Sequence, residues 1–278
     1  MDRRDLSSQT VVITGASSGI GASLARALAA RGSSLVLVAR RRDRLEQLAA
    51  ELEETYGTVV RAAPLDLSST SAAVELKTSL AEAGVTVTSL VNNAGFGTFG
   101  AFLDEDPERL AEEIAVDVSA PVRLSHAFLP DIVGARGFLI NVASMAAYAP
   151  TPRMAVYGAS KAFVLSFTES LWAELRGTGV TVFALSPGAT STEFNAVVGA
   201  DDATAGARMR TPDDVAATAM THLDRRDPGP GVIDGIGNRL SAGAARLTSR
   251  RATASLMRWV TDPARRGGAS RVSGRRAS

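Results

Sequence analysis

A tyrosine and a lysine four residues apart form the pair of side chains with the clearest chemical potential in this sequence. Tyr157 and Lys161 lie in a segment, residues 153–176, whose apolar spacing predicts a helix, and residues four apart share one face of a helix. A neighbouring ammonium favours the phenolate, so we expect the pKa of Tyr157 to lie below its ordinary value. Such a phenol can exchange a proton with a carbonyl or alcohol oxygen near neutral pH. The alternative is an exposed pair with no chemical role.

Ser144 is the third candidate catalytic side chain. It follows a predicted buried strand, residues 137–142, and lies 13 residues before Tyr157. Its hydroxyl could donate a hydrogen bond to the same substrate oxygen. The chain has no cysteine and only 2 histidines, which excludes thiolate and histidine-rich metal centres, so we predict no metal site.

A glycine-rich turn follows the first predicted strand and opens the first predicted helix. The spacing is GxxxGxG, and its glycines would allow a tight turn, close approach of a phosphate and close packing of helix on sheet. Free N–H groups at the helix N-terminus would face a pyrophosphate. The alternative is a plain strand-to-helix turn without a ligand. The predicted contacts are Gly15, Ser17, Ser18, Gly19, Ile20 and Gly21.

The end of the second predicted strand indicates which dinucleotide would bind. A carboxylate at this place accepts a hydrogen bond from the ribose 2′-hydroxyl of NAD, whereas this strand runs into Arg40 and Arg41. A guanidinium pairs with a 2′-phosphate, so the sequence predicts NADP(H), with Arg40 as the main contact and Arg41 as its support. The alternative is a solvated basic start to the next helix.

Further polar and turn residues follow the other predicted strands. Asp66 and Leu67 follow the third strand, where a carboxylate can accept a hydrogen bond from an adenine amino group. Asn93 follows the fourth strand, and Pro187 and Gly188 follow the sixth. Ligands of open parallel sheets bind at the carboxyl ends of the strands, so these residues are predicted to share one site.

About seven strands alternate with six helices along the chain, which predicts an α/β fold: a doubly wound parallel sheet in a single Rossmann domain. The predicted strands include residues 58–63 and 85–91. We assign residues 8–238 to the catalytic domain, 239–262 to a basic amphipathic extension, and 263–278 to a tail that is poor in apolar residues and expected to be disordered.

These motifs, in this order, resemble the short-chain dehydrogenase/reductase family over about residues 8–240. The resemblance implies hydride transfer at a nicotinamide, with Tyr157 as general acid/base, Lys161 lowering its pKa and holding the nicotinamide ribose, and Ser144 orienting the substrate oxygen. It also implies cofactor contacts from Asp66, Asn93, Thr190 and Thr192. Many members form homodimers or homotetramers through two long helices, here at about residues 104–133 and 153–176. Residues 36–48 and the basic extension resemble a subgroup of unassigned substrate.

One position departs from the family pattern. The family often has an asparagine in the long helix before the fifth strand, where it completes a catalytic tetrad, and this chain has Asp117 in that place. If the main-chain carbonyl carries the role, an aspartate is tolerated because its shape is similar. If a side-chain amide must donate, activity drops unless Asp117 is protonated. The intact Ser-Tyr-Lys set leads us to expect tolerance.

The charge of the chain is unevenly distributed. Residues 239–278 carry ten Arg and one Asp, a net +9, within a total of +1, so the remainder is acidic at −8. The extension could lie on an anionic membrane surface, cap the substrate pocket or a subunit interface, or be a solvated helix. Nucleic acid is not an expected partner, because no recognition fold accompanies the charge. No stretch is apolar enough to span a membrane and no signal peptide is evident, so we expect a cytoplasmic protein.

The sequence therefore predicts an NADP(H)-dependent oxidoreductase that interconverts a carbonyl compound and an alcohol. Aromatic and apolar residues near the motifs favour a lipophilic substrate, and the segment 189–209 could form a mobile lid. The alternative is an NADP(H)-binding regulatory or scaffold protein without turnover. The residues considered as pocket lining are Phe96, Phe99, Phe102, Met145, Tyr148 and Phe194.

Overall fold

Seven parallel strands form the central sheet, in the order β3-β2-β1-β4-β5-β6-β7. The computed structural model describes residues 4–194 and 209–262. Every strand pairs in parallel with its neighbours, which confirms the predicted doubly wound sheet. The strands are β1 Thr10–Thr14, β2 Ser34–Ala39, β3 Val60–Pro64, β4 Ser89–Asn92, β5 Phe138–Val142, β6 Thr181–Ser186 and β7 Gly231–Ile233.

Helices cover both faces of this sheet. Leucines of α1, α2 and α7 pack on one face, and apolar side chains of α3, α5 and α6 pack on the other. A fully buried sheet explains why β1, β2 and β5 are apolar on both sides. The helices are α1 Gly19–Ala29, α2 Arg42–Tyr56, α3 Ala72–Glu82, α4 Pro107–Ile114, α5 Ala120–Ala135, α6 Ala155–Glu174, α7 Pro212–Leu223, α8 Ile236–Leu247 and α9 Arg250–Val260.

Two predicted strands begin later than expected. The third strand begins at Val60 rather than at residue 58, and the fourth begins at Ser89 rather than at residue 85. The N–H of Val85 donates to Leu80 O at the end of α3, so the chain is still leaving the helix there. Hydrogen bonding to β1 begins at Thr88, whose N–H donates to Thr10 O at 3.0 Å, directly before the strand starts at Ser89.

The predicted helical stretch of residues 104–133 has an internal irregularity. A π-helical segment, Ala115–Ser119, joins α4 to α5 and contains Asp117. Such segments widen one turn of a helix and change which side chains face inward, and they are frequent at functional sites. Here the widened turn lies beside α6, the helix that carries Tyr157 and Lys161.

The basic extension folds into two helices. It forms most of α8 and all of α9, and the chain bends between them at Thr248 and Ser249. The Ser249 hydroxyl accepts a hydrogen bond from the Ala252 N–H and so caps α9. Residues 263–278, expected to be disordered, and most of the proposed lid of residues 189–209 lie outside the described residues. Within the described part of the chain, no helix is long and apolar enough to cross a membrane.

Candidate active site

The carboxyl ends of the strands open into one cavity of about 1070 Å³. The cavity is the expected place for a ligand of an open parallel sheet. Of the predicted site residues, Gly21 and Asp117 do not line it, and both lie directly behind residues that do. The predicted residues that line it are Gly15, Ser17, Ser18, Gly19, Ile20, Arg40, Arg41, Asp66, Leu67, Asn93, Ser144, Tyr157, Lys161, Pro187, Gly188, Thr190 and Thr192.

Tyr157 and Lys161 lie one turn apart near the start of α6. The Lys161 ammonium is 5.5 Å from the centre of the Tyr157 ring. The lysine is buried, and its Nζ also donates to Val142 O, at the end of β5, at 3.3 Å. The Ser144 hydroxyl lies close enough to the Tyr157 phenol to lower its pKa. The serine, the phenol and the ammonium are therefore neighbours, as their order in the sequence predicted.

The expected lowering of the Tyr157 pKa is wrong for the chain as it stands. Burial raises the pKa of Tyr157, although part of the ring faces the cavity; the Lys161 cation lowers it, and the Asp117 carboxylate raises it again. The spacing of residues indicates the cation alone and shows neither the burial of the phenol nor the nearby carboxylate. Inside the fold the phenol is desolvated, and the cation has its own counter-ion, so the net direction is reversed.

That counter-ion is Asp117, whose Oδ2 lies 3.0 Å from Lys161 Nζ. Burial lowers the pKa of Lys161, but the carboxylate of Asp117 and the phenol of Tyr157 outweigh that effect and raise it. Asp117 Oδ1 accepts a hydrogen bond of 3.0 Å from the Phe96 N–H. Burial raises the pKa of Asp117 against the opposing pull of Lys161. The aspartate thus ties the lysine to the loop after β4.

A second buried carboxylate, Glu113, lies one turn before Asp117. Its Oε2 accepts a hydrogen bond of 3.1 Å from the Thr98 N–H, while its buried Oε1 has no hydrogen-bond partner. Burial raises the pKa of Glu113 to about 7, with Asp117 adding to the rise. Glu113 and Asp117 together hold two amides of the same loop, residues 95–98.

Two glycines of that loop allow it to lie against the catalytic side chains. A Cβ at Gly95 would be 2.9 Å from Lys161 Nζ and 3.0 Å from both carboxylate oxygens of Asp117. A Cβ at Gly97 would be 3.0 Å from the Tyr157 ring. The loop therefore closes over the ion pair only because these positions have no side chain.

Asn93 supports the glycine-rich turn through hydrogen bonds to its backbone. Its amide donates to Thr14 O at 2.9 Å and to Gly15 O at 3.3 Å, so this side chain supports the turn while it lines the cavity. Gly15 and Gly19 have positive φ angles, which favour glycine. A Cβ at Gly21 would be 2.4 Å from Gly15 O, so only glycine lets α1 start this close to the turn. The N-terminus of α1 therefore points into the cavity and fits a phosphate group.

The two arginines after β2 lie beside this turn. Arg41 Nη2 donates to the hydroxyls of Ser17 and Ser18 at 2.9 Å, and its Nη1 is 2.7 Å from Glu193. Arg40 is more exposed and pairs with Glu112 at 3.3 Å. Hydrogen bonds from Arg44 and Arg41 lower the pKa of Glu193 to about 2, so this carboxylate is charged at neutral pH. The arginines and serines form a cradle suited to a second phosphate.

The remaining predicted residues also line the cavity. Asp66 Oδ1 accepts hydrogen bonds from the N–H and hydroxyl of Ser68, and the former lowers the pKa of Asp66. Pro187 O accepts a hydrogen bond from the Met145 N–H. Thr190 is buried, and Thr192 packs against the position that a Cβ would take at Gly19. Their positions allow contact with a bound dinucleotide.

The half of the cavity beyond Tyr157 is mainly apolar. Four of the six residues considered as pocket lining are present, whereas Phe99 and Phe102 are not among its lining residues. Phe102 instead lies exposed in a short 3₁₀ turn. The lining residues are Phe96, Met145, Tyr148 and Phe194, joined by Met154.

Several residues of the site were not predicted individually. Leu256 and Met257 of α9 and Asn238 of α8 line the cavity, so the extension contributes to the pocket, which was one of the alternatives for it. Glu113 could have been noticed as an acid four residues before Asp117 in a helix, but no local signal indicated its burial. In the residues that the structure describes, no group of three or more His, Asp or Glu could hold a metal ion.

Comparisons with known proteins agree with this geometry. The family model described as short chain dehydrogenase matches residues 9–203. Sulfoacetaldehyde reductase 2 of Chromohalobacter salexigens is 39% identical over 220 residues, which are 78% of this chain and 86% of that protein. The solved structure of a short-chain dehydrogenase from Sphingobium yanoikuyae in complex with NADPH is 34% identical, with a TM-score of 0.77 and coverage of 97% and 98%.

A further solved structure matches over nearly the whole chain. It is the bulky-bulky ketone specific alcohol dehydrogenase from Comamonas testosteroni, which is 30% identical with a TM-score of 0.70. The match covers 97% of each chain, so the similarity extends into the region of α8 and α9.

Proposed function

The chain belongs to the short-chain dehydrogenase/reductase family, and we propose that it is an NADP(H)-dependent oxidoreductase that interconverts a lipophilic carbonyl compound and its alcohol. The observation that carries this proposal is the placement of Tyr157, Ser144 and the glycine-rich turn around one cavity. The NADPH complex of the Sphingobium yanoikuyae enzyme supports the choice of cofactor.

The cavity fits NADP(H) at two places. The N–H groups at the start of α1 would hold the pyrophosphate, and Gly19 provides the close approach. Arg40 and Arg41 would hold the 2′-phosphate of the adenosine ribose. When bound, the nicotinamide supplies a hydride to a carbonyl carbon or accepts one from an alcohol carbon.

The residues of this chain would transfer the proton and orient the substrate. The Ser144 hydroxyl would donate a hydrogen bond to the carbonyl oxygen, and the Tyr157 phenol would give that oxygen its proton during reduction. In the opposite direction the phenolate would remove the proton from the alcohol. Lys161 would stabilise that phenolate, and Asp117 keeps Lys161 protonated inside the fold.

An apolar substrate suits the side of the cavity beyond Tyr157. The lining there includes Phe96, Met145, Met154 and Phe194, and α9 adds Leu256 and Met257. Arg109 is a cation in the lining, but its charge is partly compensated, because it pairs with Glu112, which Arg40 also contacts, and stacks on the Phe96 ring at 3.9 Å. The similarity to an alcohol dehydrogenase specific for bulky-bulky ketones supports a ketone with substituents on both sides.

We also infer a homodimer or homotetramer. Phe163 and Phe167 stack with ring centres 5.9 Å apart on α6, and Phe163 is exposed. An aromatic pair on the outer face of a long helix is a common feature of subunit interfaces. Sedimentation velocity of the wild-type chain and of Phe163→Gln would test this assembly.

Turnover of NADPH with a panel of ketones and aldehydes tests the proposed reaction. The proposal expects loss of NADPH absorbance with bulky apolar ketones, and Tyr157→Phe should abolish turnover while NADPH binding is retained. Tyr56→Phe, which changes an exposed tyrosine on α2, is the matched control and should keep full activity. If the chain binds NADPH but turns over no carbonyl compound, it is a binding or regulatory protein and the proposal is wrong.

A further inference from the structure

The two C-terminal helices have one face toward the cavity and another toward solvent. On the inner face, Ala242 and Ala245 of α8 and Thr253 and Met257 of α9 line the cavity. Among the described side chains of both helices, only Ala242 and Thr253 are buried. The pair therefore covers the site while most of its surface stays accessible.

The outer face of α8 is apolar. Ile236, Leu240 and Leu247 are 74%, 71% and 90% exposed, and none of them lines the cavity. Their spacing of four and then seven residues places them along one side of a helix. Single exposed apolar residues are ordinary on a protein surface, whereas three in one stripe are typical of an interaction surface.

Helix α9 also carries exposed apolar side chains. Leu256 and Trp259 are 57% and 56% exposed, and Leu256 also lines the cavity. Leu256 thus lies where the interior of the site meets the outside. We call the exposed apolar side chains of α8 and α9 the outer face: Ile236, Leu240, Leu247, Leu256 and Trp259.

The charges beside the outer face are mainly positive. Exposed arginines stand at 239, 250, 251 and 258, and the only acidic residue in the sequence from 235 to 262 is Asp262, just after α9. Residues 1–238 are acidic, with a net charge of −8. Leucine and tryptophan interleaved with arginine are typical of helices that lie in the interface of an anionic bilayer.

We propose that α8 and α9 bind the surface of an anionic lipid bilayer, with the outer face in the headgroup region and the cavity mouth at Leu256 turned toward the lipid. Interleaved apolar side chains favour a bilayer over nucleic acid, which would use the arginines alone. The net positive charge of this region opposes a symmetric contact with the same region of a second copy. The inference does not rest on the proposed reaction, because lipid binding is measured without turnover.

Co-sedimentation of the full chain with vesicles tests this proposal. The vesicles contain phosphatidylcholine alone or with about 30 mol% phosphatidylglycerol, at about 0.1 and 0.5 M NaCl. We expect binding to the anionic vesicles only, with weakening at the higher salt. Absence of binding to either vesicle, or retention on DNA without vesicle binding, would overturn the proposal.

Paired variants separate the outer face from the remaining arginines of the chain. Leu240→Gln with Leu247→Gln should weaken vesicle binding at least about tenfold. Val59→Gln with Val74→Gln changes two exposed valines elsewhere and should leave binding unchanged.

Arg250→Gln with Arg251→Gln should also weaken binding at least about tenfold, and Arg61→Gln should not. If the leucine variant binds like wild type, the arginines act without the outer face and the proposal fails.

Two further readouts address the contact itself. Brominated lipids should quench the tryptophan fluorescence of the full chain, and Trp259→Phe, which leaves Trp172, should remove that quenching. Trp172 is half-buried, and its indole N–H donates a hydrogen bond of 3.0 Å to Pro228 O. If the leucine variant changes the sedimentation coefficient of the lipid-free protein, the outer face binds a second copy instead of a bilayer.

Discussion

The ammonium of Lys161 lies 3.0 Å from the carboxylate of Asp117, and their residues are only 5% and 1% exposed. The cation next to the candidate catalytic phenol is therefore compensated by an anion that is itself within electrostatic range of the phenol. A buried ion pair costs desolvation, and removing one partner leaves the other unpaired. With Asp117 beside Lys161, the pKa of Tyr157 is higher than it would be with Lys161 alone.

Replacement of the aspartate tests whether this anion is tolerated. In Asp117→Asn, the amide oxygen can still accept the hydrogen bond from the Phe96 N–H, so the loop keeps its anchor. Loss of the anion removes a charge that raises the pKa of Tyr157, so the corresponding limb of the kcat/KM pH profile should move to lower pH. We expect kcat to change by less than about tenfold.

A large gain would contradict this interpretation. If Asp117→Asn raises turnover about 100-fold, or about 2.7 kcal/mol, a side-chain amide is required and the aspartate impairs the enzyme. Both variants remove the anionic partner of Lys161, but Asp117→Ala also removes the acceptor of the Phe96 N–H, so it should destabilise the fold more than Asp117→Asn, by about 3–5 kcal/mol relative to wild type. Urea unfolding of both variants separates loss of fold from loss of chemistry.

The sheet and the cavity floor could be predicted because their signals are local. Runs of apolar residues marked the strands, and the residue after each run falls at the same edge of a parallel sheet. This placed Ser144, Asn93 and Pro187 together without any knowledge of long-range contacts. In the sheet, the predictions failed at strand ends such as Val85, whose N–H donates to Leu80 O at the end of α3 instead of pairing with β1.

The electrostatics of the site could not be predicted in the same way. The burial of Glu113 depends on a π-helical segment and on a loop that reaches it from β4. The approach of α9 to the cavity depends on a bend at Thr248, far from the motifs. Both are tertiary contacts, and residue spacing along the chain carries no signal for them.

Gly95→Ala should disable the site by steric conflict with the ion pair. The new methyl group would lie 2.9 Å from Lys161 Nζ and 3.0 Å from the oxygens of Asp117, which are both buried and cannot move aside freely. We expect kcat to fall at least about tenfold. Steady-state kinetics check this, with Gly134→Ala as the control, since a Cβ there meets no neighbour within 4 Å. Wild-type kcat in Gly95→Ala would show that the loop is not fixed by this contact.

Glu113 should make stability depend on pH. Burial raises its pKa from 4.5 to about 7, so between these values the folded chain binds more protons than the unfolded chain. The contribution of Glu113 to the free energy of unfolding is therefore present at low pH and lost as the pH rises through about 7. At about 1.4 kcal/mol per pH unit, the loss approaches about 3 kcal/mol.

Glu113→Gln removes this titration and keeps an oxygen that can accept the Thr98 N–H. Urea unfolding at about pH 5 and pH 8 should show the variant gaining about 2–3 kcal/mol relative to wild type between the two conditions. A difference that is the same at both pH values would mean that the carboxyl titrates near its ordinary value in the folded chain.

The cradle around Arg41 predicts how cofactor preference can be changed. Arg41→Ala and Arg40→Ala each remove a cation that would face the 2′-phosphate, so the Kd for NADPH should rise about tenfold or more while the Kd for NADH stays nearly constant. Arg42→Ala is the matched control, because this neighbouring arginine lies on the solvent side and pairs with Glu46. Fluorescence titration with both nucleotides measures the two constants.

Glu193→Gln should have the opposite effect on the same equilibrium. The Glu193 carboxylate pairs with Arg41 and Arg44, and its pKa of about 2 keeps it charged at neutral pH, so it competes with a phosphate for these cations. Its removal should lower the Kd for NADPH by about threefold to tenfold and leave the Kd for NADH unchanged. If both nucleotides bind more weakly, Glu193 instead holds the arginines in the geometry that the phosphate needs, and the competition is ruled out.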